Sequence, residues 1–187
     1  LAGTVFRDVL MRALAVQEVN AAMGVIVAAP TAGGAGVLPA VLLGIAQQKS
    51  IGDAQLVDAL ATAGLIGAVV AHRASLSGAE GGCQAETGAA AGMAAGAATE
   101  MLGGTPRQAG HAVALAQQGT LGLVCDPLGG LVELPCVFRN ATGAAIALAA
   151  VEMAMAGIEF AIPADEVIDT MGEIGREMDV RYRETAG

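Results

Sequence analysis

Residues 85–100 read AETGAAAGMAAGAATE, a helical stretch built almost entirely from Ala and Gly. A surface helix of a globular protein carries one apolar stripe and one polar face, and this stretch has no such division. Side chains this small let neighbouring backbones approach from every direction. The stretch therefore predicts a central helix that is crowded on all sides, with the rest of the fold arranged around it.

Apolar residues recur at helical spacing on both sides of this stretch, and neither strand-like alternation nor an internal repeat is found. The 187 residues suffice for one domain with a sizeable core. We therefore predict an all-α fold, a compact helical domain over residues 1–187. The predicted helices cover residues 5–24, 37–49, 53–73, 87–102, 105–118, 140–158 and 163–178.

Sequence signals mark the ends of several of these helices. Thr105, followed by Pro106 and Gln108, has the pattern of a capping box. Asp53 is the expected cap of its helix, and Pro163 followed by acids begins the last helix. Between the helices, residues 29–36, 73–83 and 119–139 are rich in Gly, Pro or Ser and are predicted to be loops.

The composition excludes several classes of function. A net charge of −9 argues against nucleic acid or an anionic membrane surface as a partner. The longest uncharged stretch, 19–48, is broken by a loop, and the next, 59–72, is shorter than the ~20 residues of a membrane span. No signal peptide is visible and the chain starts without Met, so we expect a cytoplasmic fragment of a longer protein.

Three cysteines lie in the predicted loops. Cys83 follows a Gly-Gly pair, whereas Cys125 and Cys136 bracket the stretch CDPLGGLVELPC. Functional residues collect in irregular backbone, and the absence of a CxxC pair disfavours a zinc ribbon. From the residues alone two interpretations stay open: small buried hydrophobic side chains, or three ligands of an iron–sulfur cluster that leave one iron open.

Polar residues accompany these cysteines in the sequence. Arg139, the only Lys or Arg between residues 108 and 175, is suited either to bind a carboxylate or to pair with Asp126 or Glu133. The glycine-rich residues 29–36 precede a helix, so they form either an anion-binding loop or a tight packing turn. The other polar residues near the cysteines are Ser75, Ser77, Glu80, Gln84, Glu86 and Asn140, and we expect His72 and His111 to be packed or surface residues.

Four motifs resemble the α-domain of the iron–sulfur-dependent bacterial L-serine dehydratases, also called L-serine ammonia-lyases. They are APTAGGAGVLPAVL at 29–42, SLSGAEGGCQAETG at 75–88, EMLGGTP at 100–106 and GLVCDPLGGLVELPCVFRNA at 122–141. The resemblance extends over about residues 12–178. It implies a largely helical catalytic domain and a 4Fe-4S cluster held by Cys83, Cys125 and Cys136. It also implies a β-domain, on the same chain or on a partner subunit, and we expect a homo-oligomer.

The resemblance further implies that L-serine is converted to pyruvate and ammonia. An iron with three protein thiolates keeps a position open for the serine hydroxyl and acts on it as a Lewis acid, while a base takes the Cα proton. The residues do not identify that base. The predicted substrate-binding residues are Arg139 and the backbone near Thr31, Gly33 and Gly34 for the carboxylate, and Ser77, Glu80, Gln84 and Asn140 for orientation.

Pyridoxal phosphate is the main competing cofactor for serine dehydration, and it needs a lysine for its Schiff base. The only lysine, Lys49, lies in the polar helix end GIAQQKSIGD, so the sequence favours iron–sulfur chemistry. Two alternatives stay open. One is a related iron–sulfur lyase acting on threonine or cysteine, and the other is a metal-free helical interaction domain.

Overall fold

A computed structural model describes residues 3–125 and 133–184 of the chain. All regular structure within these two ranges is helical, which confirms the all-α prediction. The helices are α1 (Gly3–Ala21), α2 (Val37–Lys49), α3 (Asp53–Arg73), α4 (Gly78–Gly81), α5 (Ala89–Met101), α6 (Pro106–Gln118), α7 (Glu133–Met155) and α8 (Ala164–Glu177). A π-helical turn, Gln84–Gly88, precedes α5, and a short 3-10 turn, Val180–Tyr182, follows α8.

Helix α5 is the central element, as its Ala and Gly content predicts. Every residue from Ala89 to Thr99 is buried, and α2, α3, α6 and α7 pack around the helix. Its glycines set the spacing of these neighbours, because a Cβ at Gly96 would lie only 2.4 Å from the Cδ1 of Ile66 on α3. The core therefore depends on close backbone approach, which the small residues of α5 make possible.

Two of the predicted helix starts have different outcomes. The capping box at Thr105 is confirmed: its Oγ1 accepts from the Gln108 backbone N–H at 3.2 Å, and the Gln108 Oε1 accepts from the Thr105 N–H at 2.9 Å. The predicted cap at Asp53 is wrong, because Gly52 occupies the cap position. Asp53 is the first helical residue, where its charge still stabilises the positive end of the helix dipole.

The prediction of a loop over 119–139 is wrong in its last part, because α7 begins at Glu133. Pro135 lies in the first turn of the helix, where its missing N–H removes no intrahelical hydrogen bond. Cys136 is consequently helical, and Cys83 adjoins the π-helical turn as its N-terminal cap. Only Cys125 has the irregular backbone that the sequence predicts for all three cysteines.

Two of the described helices, α3 and the Leu134–Met155 part of α7, are long and apolar enough to cross a membrane by length and composition alone. The uncharged stretch 59–72 is shorter than the helix that contains it, because α3 extends over 21 residues. Both helices pack on α5, and core helices of globular proteins pass the same test. That the protein has no membrane partner stays a prediction.

Candidate functional site

The three cysteines come together at one end of the helical core. Cys83 comes from the start of the π-helical turn, Cys125 from a bend after α6, and Cys136 from the first turns of α7. All three are buried and none forms a disulfide. The Cys83 thiol is within hydrogen-bonding reach of both Cys125 and Cys136, and its Sγ lies 3.5 Å from the Thr87 Oγ1. The fold therefore brings the predicted ligand residues into one cluster.

The three thiols change one another's pKa values. The pKa of Cys83 lies far below its ordinary value because the thiols of Cys125 and Cys136 donate hydrogen bonds to its thiolate, with a smaller contribution from the Arg139 charge. The same hydrogen bonds, together with burial, raise the pKa of Cys125 and of Cys136. The site thus favours the thiolate form at Cys83, and a bound cation would favour loss of the protons of the other two thiols.

The chemistry of the donors limits what this cluster is suited to bind. Within the described ranges, no group of three or more His, Cys, Asp or Glu side chains is already arranged to hold a metal ion. The thiols instead lie within hydrogen-bonding reach of one another. Thiolates select soft metals and iron–sulfur clusters rather than Mg²⁺ or Ca²⁺. An all-thiol set of three therefore fits an iron–sulfur cluster in donor type and number.

Arg139 holds the backbone that carries Cys125. Its Nη1 donates to the carbonyl oxygens of Val124 at 2.9 Å and of Cys125 at 2.8 Å. Asp126 and the side chain of Glu133, the predicted alternative partners of Arg139, lie outside the described residues. The observed role of Arg139 is to fix the thiol-bearing bend, and its contact with a substrate carboxylate stays a prediction.

The C-terminal segment, residues 179–184, also contacts this site. The Cys125 N–H donates to the carbonyl oxygen of Tyr182 at 2.7 Å, and the Glu184 N–H donates to that of Gly78 at 3.1 Å. One short segment thereby bonds to a cysteine-bearing bend and to the turn that precedes Cys83. The position of the thiols thus depends on residues beyond the C-terminal end of α8.

Asn140 joins the glycine-rich loop to α7. Its side chain is fully buried, and its Oδ1 accepts from the Gly36 N–H at 2.9 Å. Its Nδ2 donates to the carbonyl oxygens of Gly33 at 2.6 Å and of Cys136 at 2.8 Å. All of these partners are backbone groups, so Asn140 acts here as a structural bridge. Its predicted role in orienting the substrate stays a prediction.

Glu86 lies between two of the predicted loops. Its side chain accepts from the Thr31 Oγ1 at 2.5 Å and from the Gly78 N–H at 3.1 Å. A Cβ at Gly33 would lie 2.1 Å from one carboxylate oxygen, and a Cβ at Gly78 would lie 2.2 Å from the other. The carboxylate thus occupies the space that side chains at positions 33 and 78 would need. Glycine at both positions follows from the presence of Glu86.

The surroundings of Glu86 favour its neutral form. Burial is the main cause that raises its pKa to about 6, and the nearby carboxyl of Glu184 and the Cys83 thiolate act in the same direction. The hydrogen bond from Thr31 opposes them. Glu86 is therefore a buried acid whose charge is poorly compensated by its own protein environment.

Two more of the predicted substrate residues, Gln84 and Glu80, have hydrogen-bond partners other than the Glu86 carboxylate. The Gln84 amide donates to the Met171 carbonyl at 3.1 Å and accepts from the Gly122 N–H at 2.9 Å, which ties α8 to the bend before Cys125. Glu80 accepts from the Ser75 hydroxyl at 2.5 Å and lines a cavity of about 340 Å³ beside α8. Ser77 is the cap residue of α4. Substrate contacts of Ser77, Glu80 and Gln84 stay predictions.

Gly34 and Thr31 belong to the part of the loop that touches the π-helical turn. A Cβ at Gly34 would lie 3.0 Å from the Glu86 carbonyl oxygen and 3.1 Å from the Cβ of Ala90. The packing-turn interpretation of residues 29–36 is therefore what these contacts support. Anion binding by the same backbone stays a prediction.

Glu86 is not among the predicted site residues, although its position in the sequence gives one indication of a special role. It is the only charged residue between Glu80 and Glu100, in a stretch of Ala, Gly and other small residues that is predicted to be buried. A charge in such a stretch needs a specific partner. Thr87, which contacts Cys83, and Glu184, which adjoins Glu86, carry no comparable signal because their contacts depend on the tertiary fold.

The fold and the site together define an all-helical domain with three buried, convergent thiols. Comparison with known proteins makes this specific. Residues 1–187 match the family described as "Serine dehydratase alpha chain". The chain belongs to the serine dehydratase alpha-chain family, in agreement with the resemblance of its motifs.

Relatives from several bacteria support this membership. The chain is 54% identical over 185 residues to the "Probable L-serine dehydratase, alpha chain" of Bacillus subtilis, covering 99% of this chain and 62% of that protein. It is 45% identical to the "L-serine dehydratase, alpha chain" of Peptoniphilus asaccharolyticus, covering 99% of this chain and 63% of that protein. It is 49% identical to the "L-serine dehydratase" of Mycobacterium tuberculosis, covering 93% of this chain and 39% of that protein. The chain thus spans less than two thirds of the length of these relatives.

Proposed function

We propose that this chain is the cluster-binding part of an enzyme that dehydrates and deaminates L-serine to pyruvate and ammonia. The observation that carries the proposal is the convergence of Cys83, Cys125 and Cys136 in a chain whose relatives are named L-serine dehydratase. The proposed cofactor is a 4Fe-4S cluster held by these three thiolates. When bound, it would supply a Lewis acid for the departing hydroxyl group.

The reaction places distinct demands on the protein residues. Elimination breaks the Cα–H and Cβ–O bonds of serine and gives water and aminoacrylate, whose imine form takes up water to yield pyruvate and ammonia. The chain's own part is to hold three thiolates in a water-poor pocket and to fix the loops around them. Arg139 fixes the bend at Cys125, and Asn140 ties the Thr31–Gly34 loop to the helix of Cys136. We assign the base that takes the Cα proton to none of the described residues.

The partner of this site is a β-domain or β-subunit that completes it. Relatives named "alpha chain" support a separate partner, whereas the much longer single-chain relatives support fusion of both parts. The same proposal includes a cytoplasmic location and a homo-oligomeric enzyme.

Pyridoxal phosphate is not part of the proposal. Lys49 ends α2 and lines a cavity formed with the N-terminal part of α1 and with α7. None of the three cysteines lines that cavity. The one amine suited to a Schiff base is therefore separate from the cluster of thiols.

Reconstitution tests the cofactor. The protein is purified without oxygen, supplied with iron and sulfide, and examined for broad absorption near about 400 nm that oxygen bleaches. We expect the wild-type protein to become brown and Cys125→Ser to bind much less iron. Thr142→Ala, an exposed change on the helix of Cys136, is the control and keeps full iron content. Equal iron content in wild type and Cys125→Ser would refute ligation and leave the metal-free interaction domain as the better interpretation.

Activity of the complete enzyme, with its β part, tests the substrate. We expect kcat/KM for pyruvate formation from L-serine to exceed kcat/KM for 2-oxobutanoate formation from L-threonine. It should also exceed kcat/KM for pyruvate formation from L-cysteine. A preference for threonine or cysteine would favour the related lyase instead.

A further inference from the structure

Glu86 carries a charge that its surroundings do not balance. Its residue is only 8% exposed, and the Thr31 hydroxyl and the Gly78 N–H that donate to it are neutral. Its third hydrogen-bond partner is the carboxyl of Glu184, which brings no positive charge. Within the described ranges, no Lys, Arg or His forms an ion pair with Glu86. A buried carboxylate in this situation gains substantially from a cation brought close to it.

The position of Glu86 relates it to the proposed substrate. Its carboxylate lies against the Cα of Gly33, in the loop proposed to bind the substrate carboxylate, and it is close enough to Cys83 for their charges to interact. Serine presents three polar groups: a hydroxyl, a carboxylate and an ammonium group. The hydroxyl has a proposed binding group in the iron–sulfur cluster and the carboxylate has one in the Thr31–Gly34 loop. The ammonium group requires an anion.

We propose that the Glu86 carboxylate binds the α-ammonium group of the substrate and thereby selects amino acids over the corresponding hydroxy acids. This inference rests on the proposed function, since it assigns the third polar group of the same substrate. Thr31 and Gly78 hold the carboxylate in place by hydrogen bonds, and the neighbouring carboxyl of Glu184 adds a second acidic group beside it. The glycines at positions 33 and 78 leave the space in which this carboxylate lies.

L-glycerate is the matched probe, because it has the carboxylate and primary hydroxyl of L-serine with a neutral hydroxyl in place of the ammonium group. In the complete reconstituted enzyme, KM for L-serine and the inhibition constant for L-glycerate are measured for wild type, Glu86→Gln and Glu86→Asp. We expect Glu86→Gln to raise KM for L-serine roughly 10- to 100-fold. The inhibition constant for L-glycerate should change by less than about twofold. Glu86→Asp, which retains the charge, is expected to keep a preference for L-serine.

Glu173→Gln is the control, because Glu173 is exposed on α8 and the change removes the same charge. If Glu86→Gln weakens the binding of L-serine and of L-glycerate equally, Glu86 has a purely structural role and the inference is overturned. An unchanged preference for L-serine would also overturn it. If the wild-type enzyme forms no pyruvate from L-serine, the proposed function fails and this inference fails with it. If the wild type is active and Glu86→Gln leaves its preference for L-serine over L-glycerate unchanged, the inference fails and the proposed function stands.

Discussion

The Nδ2 of Asn140 donates a hydrogen bond to the carbonyl oxygen of Gly33 at 2.6 Å, although the two residues are 107 positions apart in the chain. The same side chain bonds to Gly36 and Cys136. One amide therefore connects the glycine-rich loop to the helix that carries a proposed metal ligand. Both the stability of the domain and the position of Cys136 depend on this connection.

Asn140→Ala is expected to destabilise the domain by about 2–4 kcal/mol, because the buried Gly36 N–H and the half-buried Gly33 carbonyl lose their hydrogen bonds to its side chain. Urea unfolding followed by circular dichroism measures the change. Thr142→Ala, on the exposed face of the same helix, should change the unfolding free energy by less than about 0.5 kcal/mol. Equal effects of the two substitutions would show that the Asn140 bridge adds nothing.

Gly33→Ala is expected to displace the Glu86 carboxylate, because the new Cβ would lie 2.1 Å from its Oε2. The carboxylate then loses its bond with Thr31, and we expect a loss of about 1–3 kcal/mol. In a Glu86→Ala background this conflict is absent, so the cost of Gly33→Ala should fall by at least half. A double-mutant cycle measures the coupling, and additive effects would contradict the assigned contact.

Two helical glycines should respond to Ala in opposite directions. At Gly96 in α5 a Cβ would lie 2.4 Å from Ile66 Cδ1 and 2.9 Å from Val113 Cγ2, so overpacking should cost about 1–3 kcal/mol. At Gly64 in α3 a Cβ meets nothing within 4 Å, so Ala should stabilise the domain by roughly 0.5–1 kcal/mol. Thermal unfolding of the two variants checks the sign of each change.

The pKa of Glu86 predicts a pH dependence in the iron-free protein. Because folding raises this pKa from 4.5 to about 6, the folded state binds the proton more tightly, and its stabilising contribution is lost as pH rises through that window. Glu86→Gln lacks this titration. Between pH 4.5 and 7 the wild type should therefore lose stability relative to the variant, by on the order of 1 kcal/mol. Urea unfolding at intervals of pH measures the difference, and a constant difference would contradict the raised pKa.

The sequence predicted those features that depend on local composition. Helix α5 was predicted to be buried because Ala and Gly leave it no polar face, and Thr105 was predicted to start α6 because a capping box involves residues only three positions apart. The start of α7 was not predicted, because Gly and Pro indicate loops generally and Pro135 is equally suited to the first turn of a helix.

The cysteines of the candidate site could be predicted from the sequence, whereas most of the contacts that support them could not. Motif resemblance brought Cys83, Cys125 and Cys136 together, and the structure places them in contact. The partners of Arg139 are carbonyl oxygens of the cysteine-bearing bend, and no sequence pattern specifies a backbone partner. Glu86 required the tertiary fold, because its neighbours Gly33 and Gly78 come from two separate loops.

The bonds made by residues 179–184 have a practical consequence for preparing the protein. Tyr182 and Glu184 hold the backbone at Cys125 and at Gly78, so strain in this segment is transmitted to both sides of the thiol cluster. An affinity tag that disturbs this segment, or a protease that trims it, would remove these hydrogen bonds and loosen the backbone beside the cysteines. A tag placed ahead of α1 instead avoids this segment, and iron content per chain is the quality test that tells the two preparations apart.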